Sequence, residues 1–482
     1  MKKRILCLIL ACLMLIPLIV SCSKDDETEE TGNGAVTTNA ADETVNLPYK
    51  DFDGKEFKLL VSTSDYGLVT FSAETYGDTA IDQAIFNRNS AVESRLDMKV
   101  LSEEIDPYEI VTKIDMLCSS GTFEYDAFVP NMNVAVPLVQ KGYFADASVF
   151  DGVIDMSQPW WDQTAANGLR VNGKVYSLIG DAIIHYFESS YLMVYNKDYA
   201  ETLGIPNLAE LALEGDWTLE ALNTYMKQGH EDKNNNSAKD SDDIYGLAAG
   251  GAQFIDAALL CSGETILDYD EDNYPSFKNF TERTMAIFSY VQTNLTNGND
   301  SFIAPRDNTY LGNADDTWHD VFIKNRALFY AEPVGSLQKL KDVSFEFTIL
   351  PFPKYEAEDS YRTLMLKFSE GLFVPLCTPN YEDTGIILEN LMYESYVTVR
   401  PTYFETVASL QRVRNDDSYR VMSEIVWNSP RVISLLQIYN WGDMENQIVS
   451  YCLNGQQISG LGASLGRAMN KYIEKSIGAK QQ

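Results

Sequence analysis

The sequence predicts an α/β fold, because patterns typical of a strand, a helix and a second strand follow one another early in the chain. The segment "KEFKLLVSTSDYG" (55–67) is an apolar run that leads into a turn. The segment "TAIDQAIFNRNSAVESRLDMKV" (79–100) has apolar residues at helical spacing. The segment "FEYDAFVPNMN" (123–133) then reads as a second strand and its loop. Strand, helix and strand in this order indicate an α/β sheet.

The first candidate binding residues follow from this prediction. Open α/β sheets bind ligands in loops at the carboxyl ends of their strands. Asp65 and Tyr66 come after the first predicted strand, and Asn131 comes after the second. We therefore expect these three side chains to face a ligand.

The N-terminal residues 1–21 predict a lipoprotein signal peptide. Lys2, Lys3 and Arg4 precede an apolar run that is short for a bilayer span and contains Pro17. The run ends "IVSC", which resembles the bacterial lipobox, where cleavage precedes a lipidated cysteine. The resemblance implies that Cys22 carries lipid, with palmitate among the acyl chains, and two such chains suffice for stable anchoring. The alternative is an ordinary secretory signal followed by an unrelated cysteine.

Residues 22–48 predict a lipidated cysteine followed by a disordered acidic tether. This segment has seven acidic residues, one lysine and no aromatic residue, so it has too little apolar surface to form a core. Removal of residues 1–21 would change the net charge from -33 to -36. Such an acidic chain is expected to be repelled by nucleic acid and by anionic membrane surfaces. Composition is otherwise globular, and the length corresponds to about two or three domain equivalents.

The cysteines of the predicted mature chain are compatible with two interpretations. They are widely separated and form no CxxC pair, which argues against zinc. One disulfide or four free thiols would both fit. The four are Cys118, Cys261, Cys377 and Cys452.

The middle and end of the chain continue the α/β pattern. The segment "VNGKVYSLIG" (171–180) has the alternation and the Asn-Gly pair of a hairpin. The segment "SSYLMVYNKDYAETLGI" (189–205) predicts a strand that leads into a short helix, and "DWTLEALNTYMKQGH" (216–230) predicts a further helix. The C-terminal region from about residue 420 is strongly helical in pattern, and the sequence contains no internal repeat.

The order of these motifs resembles family 1 of the extracellular solute-binding proteins, the sugar-binding components of ABC transporters. The similar segments are "WWDQ", "NGKVYSLIG", "ESSYLMVYNKDYAETLGIP", "DWTLEAL", "ALFYAEPVGSLQKL" and "FEFTILPFPK". Each motif alone is loose, but their order, together with the lipobox and tether, is specific. The resemblance covers about residues 55–475.

This resemblance implies a two-lobed, periplasmic-binding-protein-like clamshell of type II, with the ligand in the cleft between the lobes. Lobe 1 would comprise residues 49–184 and 331–374, and lobe 2 would comprise residues 185–330 and 375–482. The chain would cross between the lobes near 180–188, 328–334 and 371–378. The implied partners are a sugar or oligosaccharide and the permease subunits of an ABC importer, for a monomer anchored by lipid to the extracytoplasmic face of the cell membrane.

The loop "EDKNNNSAKDSDD" (231–243) raises the question of a bound ion. An EF-hand-type calcium loop places oxygen ligands at positions 1, 3, 5, 7, 9 and 12. From the first aspartate, these positions hold Asp232, Asn234, Asn236, the Ala238 carbonyl, Asp240 and Asp243. Ser237 replaces the usual glycine at position 6, and position 12 has aspartate where glutamate is usual. The pattern resembles the lone calcium loops of some family members and predicts a structural calcium ion; a solvated polar loop is the alternative.

Aromatic and planar polar residues are the candidates for sugar binding. Aromatic rings cover the apolar faces of a sugar, and planar polar groups bind its hydroxyls. Trp160, Trp161 and Trp441 lie near predicted loop ends, and Trp441 in "YNWGDM" resembles the family's late aromatic residue that stacks on a sugar. Lobe packing is the alternative for each. The implied lobe crossings add Tyr186, Glu188 and Glu332.

Catalytic interpretations find little support. The segment "GASLG" (462–466) matches the serine-hydrolase pattern, but all histidines precede Ser464, which is the wrong order for that fold. No GxxxxGK[ST] pattern for phosphate binding is present. We expect a non-catalytic solute-binding lipoprotein of an ABC importer. The alternatives are a surface glycoside hydrolase, which needs only two carboxylates, and a surface sensor or adhesin with the same fold.

Overall fold

The computed structural model describes residues 45–63, 71, 76–305, 309–311, 316–408 and 416–478. All packing discussed below lies within Leu47–Gln482, which forms one unit of the chain. The predicted signal peptide, Cys22, and the ligand candidates Asp65 and Tyr66 lie outside the described residues.

The strands of the described residues are β1 (Lys55–Ser62), β2 (Met98–Ile105), β3 (Ala127–Val129), β4 (Ser190–Asn196), β5 (Tyr245–Gly250), β6 (Leu267–Tyr269), β7 (Pro275–Phe277), β8 (Ser301–Ala304), β9 (Ala327–Pro333), β10 (Phe347–Leu350), β11 (Thr363–Met365) and β12 (Arg431–Val432).

The α-helices of the described residues are α1 (Ala80–Leu96), α2 (Pro107–Ser120), α3 (Met132–Ala135), α4 (Gln163–Gly168), α5 (Ile184–Glu188), α6 (Lys197–Thr202), α7 (Leu208–Leu213), α8 (Leu219–Gln228), α9 (Gly251–Leu260), α10 (Glu282–Tyr290), α11 (Trp318–Ile323), α12 (Tyr381–Glu394), α13 (Arg400–Ala408), α14 (Asp416–Val421), α15 (Leu435–Tyr439), α16 (Met444–Leu453) and α17 (Ile458–Ile477). Short 3₁₀ segments are Val136–Lys141, Ala147–Phe150, Val334–Leu340 and Trp441–Asp443, and π-helical segments are Val291–Thr296, Ser395–Val399 and Met422–Val426.

The first lobe is built on a three-stranded parallel sheet in the order β2-β1-β3. Helix α1, which connects β1 to β2, begins after Thr79, whose side chain accepts a hydrogen bond from the Asp82 N–H. The predicted helix continues to residue 100, but the observed helix ends at Leu96 because Asp97 adopts a left-handed conformation with φ 47°. Strand β2 can therefore begin at Met98.

The second lobe is built on a seven-stranded mixed sheet with the path β12-β11-β4-β9-β5-β8, and β10 also pairs with β4. Strands β5, β8 and β9 run parallel, whereas β4 is antiparallel to β9, β10 and β11. All of β4, β5, β9 and β10 is buried, as expected for strands covered on both faces. The predicted strand at 189–205 is confirmed as β4 followed by α6.

The predicted hairpin at 171–180 is confirmed only at its turn. Asn172 and Gly173 have φ values of 50° and 77°, and Val171 pairs with Lys174 around them. Two consecutive residues at positive φ are typical of a tight hairpin turn, and Asn-Gly tolerates them. Beyond the turn, Leu178 pairs instead with Leu372, so this segment serves to bring a distant part of the chain into the first lobe.

The predicted lobe boundaries are wrong in two places. Residues 331–374 were assigned to lobe 1, yet β10 and β11 pair with β4 in the second sheet. Residues 375–482 were assigned to lobe 2, yet α12 packs on α1 of the first lobe. These assignments differ because the strands pair over long distances in the sequence. Ile349 lies opposite Val194 in the sheet, and no local sequence pattern predicts such a partner.

Two chain crossings between the lobes lie within fully described segments. One runs from Gly180, which pairs with Trp161, to Ser190 at the start of β4. The other follows β11, because Met365 pairs in the second lobe whereas Glu370 pairs with Asn131 in the first. Residues 328–333, where a further crossing was predicted, lie in β9 of the second sheet.

Two further findings concern the membrane and the cysteines. Of the helices in the described ranges, none combines the length and apolar content needed to cross a bilayer. Cys118, Cys261, Cys377 and Cys452 are free thiols, of which Cys261 and Cys452 are buried.

Candidate functional site

A trough lies at the carboxyl ends of the parallel strands of the second lobe. It consists of two adjoining cavities of about 200 and 590 Å³ that share Gln253, Leu366 and Phe368. Its walls follow β5, β8, β9 and β11, at the edge where open α/β sheets bind ligands. The first lobe lies beside it, because the Asn133 N–H donates to the Lys367 carbonyl at 3.1 Å. We call this site the strand-end trough.

One wall of the trough is a tryptophan–glutamate pair. Thr317 and Asp320 form a capping box that starts α11 and places Trp318 in its first turn. The Trp318 indole Nε1–H donates to Glu332 Oε1 at 2.5 Å, at the end of β9. His319 also lines this wall, and burial lowers its pKa to about 4. The imidazole is therefore neutral at neutral pH.

The other wall is a cluster of two carboxyls, an amide and an ammonium. Asp256 on α9 accepts a hydrogen bond from Gln437 Nε2 on α15 at 3.3 Å. The Lys367 ammonium lies 2.6 Å from Glu445 Oε2 on α16. Burial and the neighbouring Glu445 charge raise the pKa of Asp256 well above its usual range. The cationic and anionic groups of this wall therefore compensate one another.

An exposed aromatic ring stands where the two cavities meet. Phe368 is 41% exposed although it is a large apolar residue, and it lines both cavities. It lies in the segment that crosses back to the first lobe, immediately before Ser369, whose carbonyl accepts from the Met132 N–H at 2.8 Å. Its ring can cover the apolar face of a ligand while the surrounding polar groups bind the ligand's edge.

Of the predicted ligand residues that are described, Glu332 lies in the trough. Asn131 lies next to it, as the residue before α3, and pairs with Glu370 in the crossing segment. Its side-chain Oδ1 is buried and accepts no hydrogen bond among the described residues. A movement of the lobes could bring this amide to a bound molecule.

Trp160 and Trp161 lie elsewhere and are interior residues. Both are buried, and their indole N–H groups donate to the two oxygens of Glu389 at 3.1 and 2.8 Å. Trp160 also packs edge-on against Tyr393 of α12. These contacts connect the loop before α4 to α12. Trp161 also lines a separate polar cavity of about 420 Å³, and contact of these rings with a ligand stays a prediction.

Tyr186 and Glu188 belong to the crossing segment but do not line the trough. The Tyr186 hydroxyl donates to Asp162 Oδ2 at 2.7 Å, in a separate polar cavity of about 420 Å³ at the junction of the lobes. Glu188 is fully buried near His185, with 3.9 Å between Glu188 Oε2 and His185 Nε2. Both side chains lie in the short helix α5 and are buried, and their predicted contact with a ligand stays a prediction.

Trp441 is buried and stacked on Tyr439, with ring centroids 5.0 Å apart and planes 8° from parallel. Neither face of its ring lines the trough, although Glu445 and Asn446, which follow it closely, do. Stacking of Trp441 on a sugar therefore stays a prediction.

The predicted calcium loop is well ordered and partly preformed. Ser237, at the position where glycine is usual, adopts φ 58°, the left-handed conformation that this position requires. Asp243 is buried, and its Oδ1 accepts no hydrogen bond among the described residues. An unsatisfied buried carboxylate oxygen fits a cation ligand. However, no described group of three or more His, Cys, Asp or Glu side chains could hold a metal, so a site here would also need the asparagine and carbonyl oxygens.

Sequence reasoning missed Gln253, Asp256, Phe368, Gln437 and Glu445. The first two could have been found, because they follow the glycine-rich strand "YGLAAGG" directly and the strand-end rule applies there. The other three carry no local signal, since they reach the trough only through the crossing segment and the packing of α15 and α16.

The comparisons with known proteins agree with this geometry. A family model described as bacterial extracellular solute-binding protein matches residues 91–376, more than half of the chain. A search of curated proteins gives no match.

Solved structures share the fold at low sequence identity. An ABC substrate-binding protein from Listeria monocytogenes in complex with cycloalternan is 16% identical, with a TM-score of 0.54 over 88% of this chain and 100% of that one. The maltose/maltodextrin-binding domain from Bdellovibrio bacteriovorus bound to maltotriose is 13% identical, with a TM-score of 0.52 and the same coverage. UspC from M. tuberculosis is 13% identical, with a TM-score of 0.57 over 86% of this chain and 100% of that one. The chain therefore belongs to the bacterial extracellular solute-binding proteins and has their two-lobed α/β fold.

Proposed function

We propose that this protein is the solute receptor of an ABC importer and that it captures a sugar or oligosaccharide in the strand-end trough. The observation that carries the proposal is that the trough combines an exposed aromatic ring with planar polar side chains in a member of this family. Phe368 offers an exposed ring, while Glu332, Gln437 and Asp256 offer planar polar groups. The structural relatives that hold cycloalternan and maltotriose support the same ligand class.

Most polar groups of the trough suit hydrogen bonding to a sugar. Glu332 accepts from Trp318, Asp256 accepts from Gln437, and Glu445 is paired with Lys367. Lys339 and Lys341 also line the larger cavity, where their ammonium groups can donate hydrogen bonds to hydroxyls. Sugar hydroxyls, which both donate and accept hydrogen bonds, match them.

Capture would proceed by closure of the two lobes over the bound molecule. The crossing segments at 180–189 and 366–370 are the natural hinges, since they join the two sheets. A sugar that contacts both the trough and the first lobe binds the closed state more tightly, and this differential affinity drives closure. The closed form would then be recognised by permease subunits in the membrane.

The experiment that tests the proposal is a thermal-shift screen of mono- and oligosaccharides, including maltotriose, followed by titration calorimetry. A ligand at 100 times its Kd stabilises the folded state by about 2.7 kcal/mol, which is readily detected. Phe368→Ala should weaken binding by roughly 5- to 30-fold, which corresponds to about 1–2 kcal/mol. Phe123→Ala is the matched control, because Phe123 is 40% exposed but lies outside the trough. Equal loss in both variants, or no sugar bound at all, would contradict the proposal.

We also propose that the solute leaves chemically unchanged. Asp256 and Glu445 are both engaged within the wall of the trough, since Asp256 accepts from Gln437 and Glu445 pairs with Lys367. Incubation with the bound oligosaccharide should therefore return it intact, as chromatography of the sugar would show. Products of hydrolysis would favour the glycosidase alternative.

Lipid anchoring at Cys22 remains a proposal from the sequence. Cys22→Ser should release the protein from the membrane fraction and abolish incorporation of labelled palmitate. Membrane retention of this variant would refute it.

Calcium in the loop at 231–243 is a structural proposal, supported by the buried Asp243 oxygen and the left-handed Ser237. The ion would be held by side chains of Asp232, Asn234, Asn236, Asp240 and Asp243 and by the Ala238 carbonyl. Chelation should lower the melting temperature, and Asp243→Asn should remove that effect. A melting temperature that does not respond to chelator or added calcium would exclude the site.

A further inference from the structure

A further cavity lies where the two lobes meet, apart from the strand-end trough. Its volume is about 420 Å³, and it shares no lining residue with the trough. Asp162 lines it from the first lobe, and Arg431 on β12 lines it from the sheet of the second lobe. The crossing segment contributes Gly180, Asp181 and Tyr186. We call this space the junction cavity.

Two arginine–aspartate pairs line the junction cavity. Arg431 Nη1 donates to Asp162 Oδ2 at 3.1 Å, and this pair joins the two lobes. Arg400 Nη1 donates to Asp181 Oδ2, also at 3.1 Å. All of these side chains are mostly buried. Each aspartate therefore holds a guanidinium in place at the wall of the cavity.

The same wall has hydrogen-bond donors that remain unused. A guanidinium has several N–H donors, yet within the described ranges Arg400 makes one hydrogen bond, to Asp181. Arg431 Nε and Trp427 Nε1 have no acceptor among the described residues, although Arg431 and Trp427 are only 9% and 4% exposed. Trp427 stacks on Phe404, with ring centroids 4.1 Å apart and planes 6° from parallel. The donors are thus held by packing and not by an acceptor.

The unused donors indicate the chemistry of a molecule that would fit. A buried N–H without an acceptor costs free energy, and an acceptor that enters the cavity removes this cost. A carboxylate matches best, because a guanidinium binds its oxygens through parallel, charge-assisted N–H···O bonds. Trp161, Tyr186 and Pro430 also line the cavity and would contact the carbon atoms of such a molecule. Inorganic phosphate offers no carbon atoms for these contacts.

The charge of an acid can be balanced within the junction cavity. Burial raises the pKa of Asp181 to about 6, although the charges of Arg400 and Arg431 oppose this rise. Asp162 also acts on Asp181 and raises its pKa. A carboxylate that binds beside Asp181 adds a negative charge and favours its protonated form further. A proton on Asp181 would then offset the charge of the bound acid.

We propose that the junction cavity is a second binding site and that it takes a small organic acid through its carboxylate. The carboxylate accepts from the unused N–H groups of Arg400, Arg431 and Trp427, while the aspartates keep the guanidinium groups in position. The acid contacts both lobes and the crossing segment, since all of these line the cavity. This inference does not rest on the proposed function, because the cavity and the trough have no residue in common.

The first experiment tests the ligand class on the intact protein. Acetate, lactate and succinate are compared with acetamide, lactamide and succinamide by ligand-observed NMR and titration calorimetry, in a buffer free of carboxylate and phosphate. Inorganic phosphate is a separate arm. We expect at least one acid to bind saturably and its amide, which has a similar shape but no charge, to bind roughly tenfold more weakly or less. No saturable binding of any acid, equal binding of acid and amide, or binding of phosphate alone would overturn the proposal.

The second experiment locates the bound acid with conservative variants. Arg400→Lys keeps a positive charge beside Asp181 but loses the planar guanidinium. Trp427→Phe keeps a ring against Phe404 but loses the indole N–H. Each should weaken binding of the acid by roughly five- to tenfold. Arg420→Lys is the matched control, because Arg420 is an ion-paired arginine outside the cavity, and it should bind the acid as the wild type does.

A last variant separates the junction cavity from the trough. Phe368→Ala should bind the acid normally, because Phe368 lines only the trough. Loss of the acid in Phe368→Ala, or wild-type affinity in both Arg400→Lys and Trp427→Phe, would place the acid elsewhere and overturn the proposal. If one of these two variants fails to fold, as its melting curve would show, the other decides. Failure of every sugar to bind would contradict the proposed function and leave this inference unchanged.

Discussion

Two tryptophan–glutamate clusters in this protein use the same hydrogen bond for different purposes. In the trough, Trp318 donates to Glu332 at the end of a parallel strand, beside an open cavity. In the first lobe, Trp160 and Trp161 donate to Glu389, and both oxygens of that carboxylate are occupied. Glu332 accepts one indole and lines the cavity, whereas Glu389 accepts two indoles in the interior. The difference teaches that a candidate ligand-binding aromatic cluster is distinguished by the cavity beside it and not by its composition.

The largest expected effect is on the stability of the interior cluster. Trp161→Ala should lower the free energy of unfolding by about 3–5 kcal/mol, because it removes a buried aromatic ring and leaves a cavity. The folded fraction should bind sugar normally. Denaturant unfolding and calorimetry measure the two quantities. Trp318→Ala is the matching variant in the trough and should reduce both the free energy of unfolding and the affinity for sugar. If Trp161→Ala lost affinity and Trp318→Ala did not, the distinction between the two clusters would be wrong.

The two glutamates can be compared by the same isosteric change. Glu389→Gln keeps one acceptor for two indoles, so one buried N–H loses its partner, at a cost of about 1–3 kcal/mol in stability. Glu332→Gln can still accept from Trp318 and should be nearly neutral in stability while weakening sugar binding several-fold. Sugar titration and urea unfolding of both variants measure the affinity and the stability. Weaker sugar binding in Glu389→Gln together with lower stability in Glu332→Gln would contradict the assignment of the trough.

The last comparison concerns pH. Burial raises the pKa of Glu389 to about 7, from the ordinary value of 4.5. Because the folded state holds this proton more tightly than the unfolded chain, the associated stability is fully present below pH 4.5 and is lost as the pH rises towards 7. Unfolding curves between pH 4.5 and 8 should show this decline in the wild type. Glu389→Gln should lack this component, and an identical pH profile in the variant would assign the decline elsewhere.

The fold was predictable where local patterns determine it. Helix α1 was expected from the spacing of Ile81, Ile85 and Val92, and all three are buried in it. The turn at Asn172–Gly173 followed from the tolerance of these residues for positive φ. The strand-end rule correctly pointed to the neighbourhood of Asn131, and applied to β5 it would also have found Gln253. These predictions succeeded because each depends on residues close together in the chain.

The site was less predictable because its parts are distant in sequence. Asp256, Lys367 and Glu445 meet only after α9, the crossing segment and α16 have packed together. The packing of Trp160 and Trp161 was unpredictable for the same reason, since Glu389, to which both indoles donate, lies more than 200 residues away. A tryptophan next to proline or glycine in the sequence is predicted to lie in a loop whether its ring is buried or exposed. Only the residue that its indole N–H contacts shows whether the ring faces inward.

What the sequence by itself determined is the set of elements, their caps and turns, the acidic character of the chain and the oxygen-rich loop, since these depend on short-range sterics and on composition. Tertiary structure alone decided which strands share a sheet, which tryptophan lines the trough and which distant charged groups meet in its wall. The physical reason is that burial and pairing are properties of contacts between distant segments, and such contacts exist only once the chain has folded.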